Sequence, residues 1–402
     1  MSSEWICCQL GAREHYAVAR ALYQTGSLHA LLTDAWVRPG SALAALHRNL
    51  GERYHHQLAA ASVTSWNAGL IAFELQVRAR RLSSWPVTMK RNQWFQQQVL
   101  KSLSGLALQS SPPPTLFAYS YAAMEPLRFA RARGWRTVLG QIDPGPAEER
   151  LVAKLHRNAG DIQSRWVPAP EDYWRQWHEE CALADHIVVN SSWTRTALLE
   201  EAIPAEKIAI VPLAYDVPET AARFERTYPA SFSRERPLRV LFLGQVNLRK
   251  GMQVVLEAMR LLRNLPVELS IVGQSEFDIP MEMRAHPQIN WVGPVARGSV
   301  DEFYRQADVF LFPTFSDGFG LTQLEAQSWK LPIIASRFCG DVVEHGRNGW
   351  VLSEVTAEAI SGQLSACLHA PALLAAAAME SKVGPSHTLS AIGDSLSQLT
   401  LK

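Results

Sequence analysis

The stretch Val309-Phe-Leu-Phe-Pro-Thr-Phe-Ser-Asp-Gly-Phe-Gly-Leu-Thr-Gln-Leu-Glu325 joins four apolar residues to a helical pattern through a turn with two glycines. The apolar run predicts a buried strand, and a helix is expected to start near Leu321. The first backbone N–H groups of such a helix have no partner within it, here those of Phe319, Gly320 and Leu321. Because unpaired N–H groups and the helix dipole both attract negative charge, the turn predicts an anion-binding site.

Two further features of this stretch concern the ligand. Gly318 and Gly320 allow the backbone to come close to a bound molecule. Glu325 lies about one helical turn further along, where its carboxylate can accept hydrogen bonds from vicinal hydroxyl groups, the alternative being an ordinary helix-surface carboxylate. A diphosphate flanked by sugars fits these features, and open parallel α/β sheets bind ligands at the carboxyl ends of their strands.

A second loop has a similar arrangement. Arg249 and Lys250 stand after the apolar run at residues 238–243 and before a helical pattern at residues 251–263. Cations are unfavourable at the positive end of a helix dipole unless an anion is bound there. We therefore predict that both side chains bind phosphate, the alternative being a solvated pair at a helix start.

The rest of the chain alternates short apolar runs with helical patterns, which is typical of βαβ units and parallel sheets. The predicted strands span residues 5–10, 115–119, 137–142, 186–190, 208–212, 238–243, 268–272, 290–292, 309–312 and 331–335. A proline-punctuated polar stretch at residues 216–237 separates two halves, and residues 36–110 show no confident strand. The sequence therefore predicts an α/β protein with two doubly wound parallel sheets.

Composition excludes several classes of protein. The 402 residues exceed the usual size of one domain, and 39 Lys and Arg against 38 Asp and Glu give a net charge of only +1, which argues against nucleic-acid binding. No apolar run approaches the length of about 20 residues that spans a bilayer, and Glu4 stands where a signal peptide carries positive charge, so we expect a cytoplasmic protein. The five scattered cysteines favour reduced, mostly buried thiols over disulfides or structural zinc.

Positive charge is concentrated near the start of the chain. Residues 1–101 hold eleven Lys and Arg against five Asp and Glu, and residues 78–91 hold five positive charges and no negative one. Such a segment suits peripheral contact with anionic lipid headgroups or with a phosphorylated acceptor. A solvated helix face is the alternative, because basic helical surfaces are common.

The spacing of Asp317 and Glu325, with seven residues between them, resembles the acidic-x7-acidic signature of retaining glycosyltransferases of family 4. Further blocks resemble that family in the same order, at residues 184–191, 211–212, 244–251, 307–309, 340–344 and 346–349. The resemblance is strong over residues 180–352 and weak before residue 110. It implies the GT-B fold, in which two Rossmann-like domains face a central cleft.

The resemblance also implies how the chain is divided. The expected parts are an acceptor-binding domain at residues 1–216, a linker at 217–237, a nucleotide-sugar domain at 238–380, and a C-terminal helix at 381–402 that packs back toward the first domain.

The activity that the resemblance implies is transfer of a sugar from a nucleoside diphosphate to an acceptor hydroxyl, with retention of configuration. Asp317 is then expected to bind hydroxyls of the transferred sugar, and Glu325 those of the nucleotide ribose. Gly244, Arg249 and Lys250 are expected to meet the diphosphate.

Two residues depart from the family pattern, since Asp317 replaces the usual Glu and Gln245 replaces the usual Arg. Arg249 is the expected substitute at the diphosphate. The chain has no Asp-x-Asp sequence, which is the diphosphate–metal motif of the alternative glycosyltransferase architecture. We therefore expect no essential metal, and no cofactor other than the nucleotide sugar as co-substrate.

The acceptor side is expected in the first domain. By resemblance, Gly11, Arg13 and His15 follow the first strand and contact the acceptor or the diphosphate, with capping or packing as the alternative. Many relatives carry a His after the strand at residues 137–142. Here Asp143 is the expected substitute, with Gln141 second.

Two functions other than sugar transfer were considered for this sequence, of which one is disfavoured and one stays open. A nicotinamide-dependent oxidoreductase needs Gly-x-Gly-x-x-Gly at the start of a helix, and neither the turn after Leu10 nor the turn after Leu243 has that spacing. A non-catalytic protein that binds nucleotide sugars stays open. So do the donor base and sugar, and the choice among glycan, lipid-linked and small-molecule acceptors.

Overall fold

The computed structural model describes residues 4–41, 43–44, 48–51, 53–106, 112–160 and 166–401, and these form two parallel sheets. The first sheet consists of β1 (Trp5–Gln9), β2 (Leu28–Thr33), β3 (Val63–Ser65), β4 (Thr115–Tyr119), β5 (Arg136–Gln141), β6 (His186–Val189) and β7 (Ile208–Ile210). Its strand order is β3-β2-β1-β4-β5-β6-β7.

The second sheet consists of β8 (Leu238–Leu243), β9 (Val267–Val272), β10 (Ile289–Gly293), β11 (Val309–Phe312), β12 (Ile333–Ser336) and β13 (Gly349–Leu352). Its strand order is β10-β9-β8-β11-β12-β13. In both sheets the chain begins in the middle and reverses direction once, so each sheet has a crevice at the carboxyl ends of its central strands. The predicted pair of Rossmann-like parallel sheets is confirmed.

Helices cover the sheets. Those that precede β8 are α1 (Ala17–Gln24), α2 (Arg48–Gly51), α3 (Asn67–Ala79), α4 (Trp85–Gly105), α5 (Met124–Arg131), α6 (Pro146–Asn158), α7 (Glu171–Leu183), α8 (Ser192–Glu200) and α9 (Glu219–Ala222). Those that follow are α10 (Met252–Leu261), α11 (Met281–Arg284), α12 (Val300–Gln306), α13 (Thr322–Ser328), α14 (Ala357–His369), α15 (Pro371–Glu380) and α16 (Leu389–Leu401).

The strands that the sequence predicted are those with continuous apolar runs. β11 reads Val-Phe-Leu-Phe and is buried at every residue, because helices cover both faces of a parallel sheet. Three strands were not predicted. β2 is rich in Leu and Ala, which are common in helices, β3 has only three residues, and β13 begins with Gly349. The expectation of no strand within residues 36–110 is therefore wrong at β3, which pairs with β2.

The segment between the two sheets lies along the second domain. Ala221 of α9 is part of the hydrophobic cluster that includes Phe310 and Trp329. The Arg226 guanidinium donates hydrogen bonds to backbone carbonyls of the second domain, and Tyr228 Oη donates to Asp308 O at 2.9 Å. The predicted linker is thus packed against the second domain at Ala221, Arg226 and Tyr228.

The last helix returns to the first domain. Leu389, Ile392 and Leu396 of α16 are buried together with Ala21 and Leu22 of α1. α14 and α15, in contrast, contribute to the core beneath the second sheet. The chain therefore crosses between the domains a second time, between α15 and α16.

The helices differ in length and in apolar character. Within the ranges that the structure describes, no single helix is both long and apolar enough to cross a membrane, although α14 and α15 meet the criterion together across a bend of 97°.

Replacement of a buried leucine in α16 is expected to destabilise the first domain. Leu396 is fully buried against α1, and Leu→Ala changes at such sites cost about 2–5 kcal/mol because a cavity remains. Leu396→Ala should therefore lower the free energy of unfolding in urea by that amount. Leu373→Ala is the control, because the side chain of Leu373 is 49% exposed. Equal losses in the two variants would contradict the packing of α16 on α1.

Candidate active site

Asp317 lies in the turn after β11 and is paired with a cation from the loop after β8. Lys250 Nζ donates a hydrogen bond to Asp317 Oδ2, and the same ammonium lies 4.8 Å from the centroid of the Phe312 ring. Burial alone would raise the pKa of Asp317, but the charges of Lys250 and Arg249 outweigh it and hold this pKa below its ordinary value. Asp317 is therefore a carboxylate that stays ionised.

Arg249 joins this pair and connects it to the first domain. Arg249 Nη1 donates to Ser316 O at 2.9 Å and lies 3.5 Å from Glu148 Oε2 of α6. Ser316 Oγ donates to the same Glu148 oxygen at 2.7 Å, and Trp193 Nε1 of α8 donates to Ser316 Oγ at 3.0 Å. The structure thus brings both predicted phosphate ligands together with Asp317 at the domain interface.

Gly318 and Gly320 lie close to other atoms of the protein. A Cβ atom on Gly318 would lie 1.8 Å from Ile142 O of the first domain, and one on Gly320 would lie 2.4 Å from the Phe312 ring. Gly320 also has a φ of +81°, which side chains disfavour. Both glycines therefore allow close packing within the protein, and their approach to a bound donor stays a prediction.

The backbone of this turn is partly free to bind an anion. The Phe319 N–H bonds to the Asp317 carboxylate. The N–H groups of Gly320 and Leu321 have no acceptor among the residues that the structure describes. Two of the three predicted donors are therefore available at the start of α13.

Glu325 is in the first turn of α13 and is partly buried. Tyr304 Oη donates to Glu325 Oε2 at 2.8 Å, and burial raises the pKa of this carboxyl group. Glu325 is thus not an ordinary surface carboxylate, since it already accepts a hydrogen bond from one hydroxyl group.

Asp143 and Gln141 of the first domain form one hydrogen-bonded unit. Asp143 Oδ1 accepts from Gln141 Nε2 at 3.0 Å, from Gly145 N at 2.9 Å and from Tyr121 Oη. Gln141 is fully buried, and its Oε1 accepts from Trp177 Nε1 at 2.9 Å. Gln141 therefore orients Asp143, and its assignment to the acceptor side stays a prediction.

Asp143 also faces the second domain across a cavity. This cavity has a volume of about 250 Å³, and Asp143, Glu148, Arg249 and Gln245 all line it. Asp143 and one of the predicted phosphate ligands thus border the same space.

The loop after β1 has an unusual backbone. Glu14, His15 and Tyr16 have φ values of 50°, 50° and 59°, a region that costs residues other than glycine about 1–3 kcal/mol each. The partly buried Glu14 carboxylate accepts hydrogen bonds from Tyr119 Oη at 2.8 Å and Asn190 Nδ2 at 3.4 Å, and these contacts help to hold the loop. Such strain is often found at functional sites.

The same loop touches both domains. Gly11 N donates to Asp34 Oδ1 at 2.9 Å, and Gly11 and Arg13 line a second cavity within the first domain. His15 contacts the second domain instead, because Arg297 Nη2 lies 2.5 Å from its Nε2. Burial and the charge of Arg297 lower the pKa of His15 to about 4, so its imidazole is neutral near pH 7.

Gly244 directly follows β8 and has a φ of +147° at the start of the loop that holds Arg249 and Lys250. The five cysteines are buried and unpaired, as the sequence predicted. In the described ranges, no group of three or more His, Cys, Asp or Glu side chains is arranged to hold a metal ion.

Sequence reasoning missed several residues of this site. They are Glu148, Trp193, Ser316 and Arg297 at the domain interface, with Asp34 and Glu14 in the first domain. Glu148 lies in the first turn of a helix, where the helix dipole favours an acidic residue in any protein, so its sequence position does not indicate a functional role. Ser316 could have been predicted, because it directly precedes Asp317 in the turn after β11.

Comparison with known sequences identifies the second domain. Residues 237–370 match the family described as glycosyl transferases group 1. A D-inositol 3-phosphate glycosyltransferase of Pseudarthrobacter chlorophenolicus is 32% identical over 123 residues, which are 27% of this chain and 29% of that protein. The amylovoran biosynthesis glycosyltransferase AmsK of Erwinia amylovora is 23% identical over 182 residues, 42% of this chain and 43% of that protein. The chain thus spans less than half the length of these two relatives.

Comparison with solved structures covers both domains. A sucrose-phosphate synthase from Thermosynechococcus elongatus has a TM-score of 0.68 and 16% identity over 99% of this chain and 98% of its own. Anabaena HepE, solved with UDP, has a TM-score of 0.60 and 13% identity over 100% of both chains. The resemblance found in the donor motifs is confirmed at this level: the chain has the GT-B fold, and its second domain matches glycosyl transferases group 1.

Replacement of Glu148 by Gln is expected to change how stability depends on pH. Burial raises the pKa of Glu148 from its ordinary 4.5 to about 7, although Arg249 opposes the rise. The folded protein therefore binds this proton more tightly than the unfolded chain, so the contribution to stability is complete below the unfolded pKa and is lost as pH rises through about 7. Glu148→Gln does not titrate at this site, and its melting temperature should rise relative to wild type between about pH 5 and about pH 8.

The matched control is Glu219→Gln, because Glu219 is exposed on α9 and forms an exposed ion pair with Arg223, the residue that follows this helix. Its melting temperature should follow the wild-type profile. A constant difference between Glu148→Gln and wild type over this pH range would show that Glu148 does not titrate there.

Proposed function

We propose that this protein is a metal-independent retaining glycosyltransferase of family 4, which transfers a sugar from a nucleoside diphosphate to a hydroxyl group of its acceptor. One observation carries the proposal. Arg249, Lys250 and Asp317 converge at the carboxyl ends of β8 and β11, where parallel sheets bind their ligands. The match to glycosyl transferases group 1 covers the same segment.

The chemistry requires charge stabilisation rather than a covalent intermediate. Departure of the diphosphate builds negative charge on its oxygens, and fixed cations nearby lower the energy of that state. Lys250 now holds Asp317, and Arg249 lies near Glu148. A bound diphosphate would replace these carboxylates as the partner of both cations. Asp317 would then be free to accept hydrogen bonds from hydroxyls of the transferred sugar.

Glu325 suits the nucleotide ribose. Its Oε2 accepts a hydrogen bond from Tyr304, so the carboxylate retains its second oxygen for a ribose hydroxyl. Retention then follows from attack on the face from which the diphosphate departs, which needs no nucleophile from the protein. Asp143 is placed to contact the reacting groups from the first domain, since it borders the same cavity as Arg249.

The direct test is release of nucleoside diphosphate from a panel of nucleotide sugars, beginning with UDP-glucose because HepE was solved with it. Nuclear magnetic resonance of the product would identify the configuration of the new bond, and an inverted anomer would overturn the retaining assignment. Loss of activity in EDTA would overturn metal independence. Binding without release would favour the non-catalytic alternative.

Lys250→Met is expected to lower turnover by about a hundredfold, because removal of one group that stabilises transition-state charge usually has an effect of this size. Donor affinity should fall as well. The control is Lys154→Met, since Lys154 is exposed on α6. Wild-type turnover in Lys250→Met would remove this residue from the active site.

Asp317→Asn is expected to lower turnover far more than stability. The amide keeps the shape of the side chain but loses the charge that strengthens hydrogen bonds to sugar hydroxyls and holds Lys250. Turnover and melting temperature should be measured together, with the exposed Asp278→Asn as the control. If Asp317 only shapes the turn, both quantities would stay near those of the wild type.

A further inference from the structure

One cavity of the first domain is separate from the groups that would bind the donor. It has a volume of about 670 Å³ and lies between the loop after β1, α3 and α4. The charged residues that line it are Arg13, Arg53, Arg78, Arg91, Asp34 and Glu74. Four guanidinium groups against two carboxylates leave the lining with an excess of two positive charges.

Two of the four guanidinium groups are already neutralised. Arg53 Nη1 donates to both carboxylate oxygens of Asp34, at 3.2 and 3.0 Å. Arg91 Nη2 donates to Glu74 Oε1 at 2.6 Å. These two pairs account for both acids of the lining.

The other two, Arg13 and Arg78, form no salt bridge and no side-chain hydrogen bond with any residue that the structure describes. The Glu14 carboxylate lies close enough to be influenced by the charge of Arg13, but it is hydrogen-bonded to Tyr119 and Asn190. The excess positive charge of the cavity therefore belongs to two unpaired guanidinium groups, which match the geometry of phosphate oxygens.

The remaining lining is largely apolar. It consists of Leu10, Leu50, Leu70, Ile71 and Leu75, together with small or uncharged polar residues. Leu75 is 60% exposed and leaves an apolar edge of the cavity open to solvent. A ligand that fills this cavity thus needs both an anionic group and an apolar chain.

The cavity lies beside the domain interface. Arg13 is two residues from His15, which contacts Arg297 of the second domain. Gly11, at the start of the same loop, is tied to Asp34 at the wall of the cavity. A ligand held by Arg13 would therefore be close to the cleft in which the proposed donor is expected.

We propose that this cavity binds the acceptor, and that the acceptor is a phosphate ester with an apolar chain. Its phosphate lies between Arg13 and Arg78, and its chain lies along Leu70, Ile71 and Leu75. The assignment as an acceptor rests on the proposed function. The recognition of a phosphorylated amphiphile rests only on the charges and apolar surface of the cavity.

Calorimetric titration with three probes tests the chemistry. Octyl phosphate, below its micelle concentration, carries both features, octyl glucoside carries only the chain, and inorganic phosphate carries only the charge. Octyl phosphate should bind at least tenfold more tightly than either of the other two. Equal affinity for octyl phosphate and octyl glucoside, or for octyl phosphate and inorganic phosphate, would overturn the proposal.

Two variants locate the binding site. Arg13→Gln and Arg78→Gln should each weaken octyl phosphate binding by about tenfold, because each removes one charge-assisted contact. Arg80→Gln is the control, since Arg80 is exposed on the same basic segment but does not line the cavity. An equal loss in Arg80→Gln would mean that only the net charge of the surface matters, and the proposal would fail.

A further arm distinguishes a membrane lipid from a soluble acceptor. Phosphatidylcholine vesicles with about 10% hexadecyl phosphate should retain the wild-type protein, and Arg13→Gln should be retained less, if the acceptor resides in a membrane. Retention of neither protein, together with tight binding of octyl phosphate, assigns the site to a soluble ester. None of these titrations contains a nucleotide. They therefore test the cavity even if no nucleotide sugar is turned over.

Discussion

The contact of Gly318 with the first domain determines the geometry of the whole candidate site. Its carbonyl oxygen accepts hydrogen bonds from Ser191 Oγ at 2.6 Å and Thr194 Oγ1 at 3.2 Å, while its Cα lies against the Ile142 carbonyl. Only glycine can occupy this position, because any Cβ would overlap Ile142 O. The turn that holds Asp317 is therefore positioned by the first domain, although the strand and helix around it belong to the second.

The charges at this interface are balanced. Arg249 and Lys250 meet Glu148 and Asp317, two groups of each sign, and removal of one partner of a buried pair usually costs about 3–5 kcal/mol. In the proposed function, a diphosphate would bring additional negative charge into the same space. Because burial raises the pKa of Glu148 to about 7, this group can take up a proton near neutral pH, which would leave Arg249 to pair with the proposed diphosphate. Asp317 cannot do so, since its pKa is held low.

The parts of the structure that could be predicted from sequence are local ones. β11, the glycine turn and the start of α13 are consecutive in the chain, so their periodicity and turn residues predict the end of the sheet at which we propose that phosphate binds. The contacts that complete the candidate site join residues far apart in sequence, since Glu148 and Arg249 are 101 positions apart and His15 and Arg297 are 282 positions apart. No pattern in a short stretch of sequence predicts contacts between residues so far apart. They arise only when the two sheets are packed against each other.

The departures from the family pattern can be understood from this packing. Gln245, at the position where the resembled family usually has Arg, lines the same cavity of about 250 Å³ as Arg249, as expected if Arg249 replaces that cation. Arg249 is held there by Ser316 O, directly before Asp317. The shorter carboxylate of Asp317 is likewise held from two sides, by Lys250 and by the Phe319 N–H. Two cations, Arg249 and Lys250, and the Asp317 carboxylate therefore lie together at the end of β11. The close contact between Gly318 and the Ile142 carbonyl determines where these three side chains lie relative to Asp143 of the first domain.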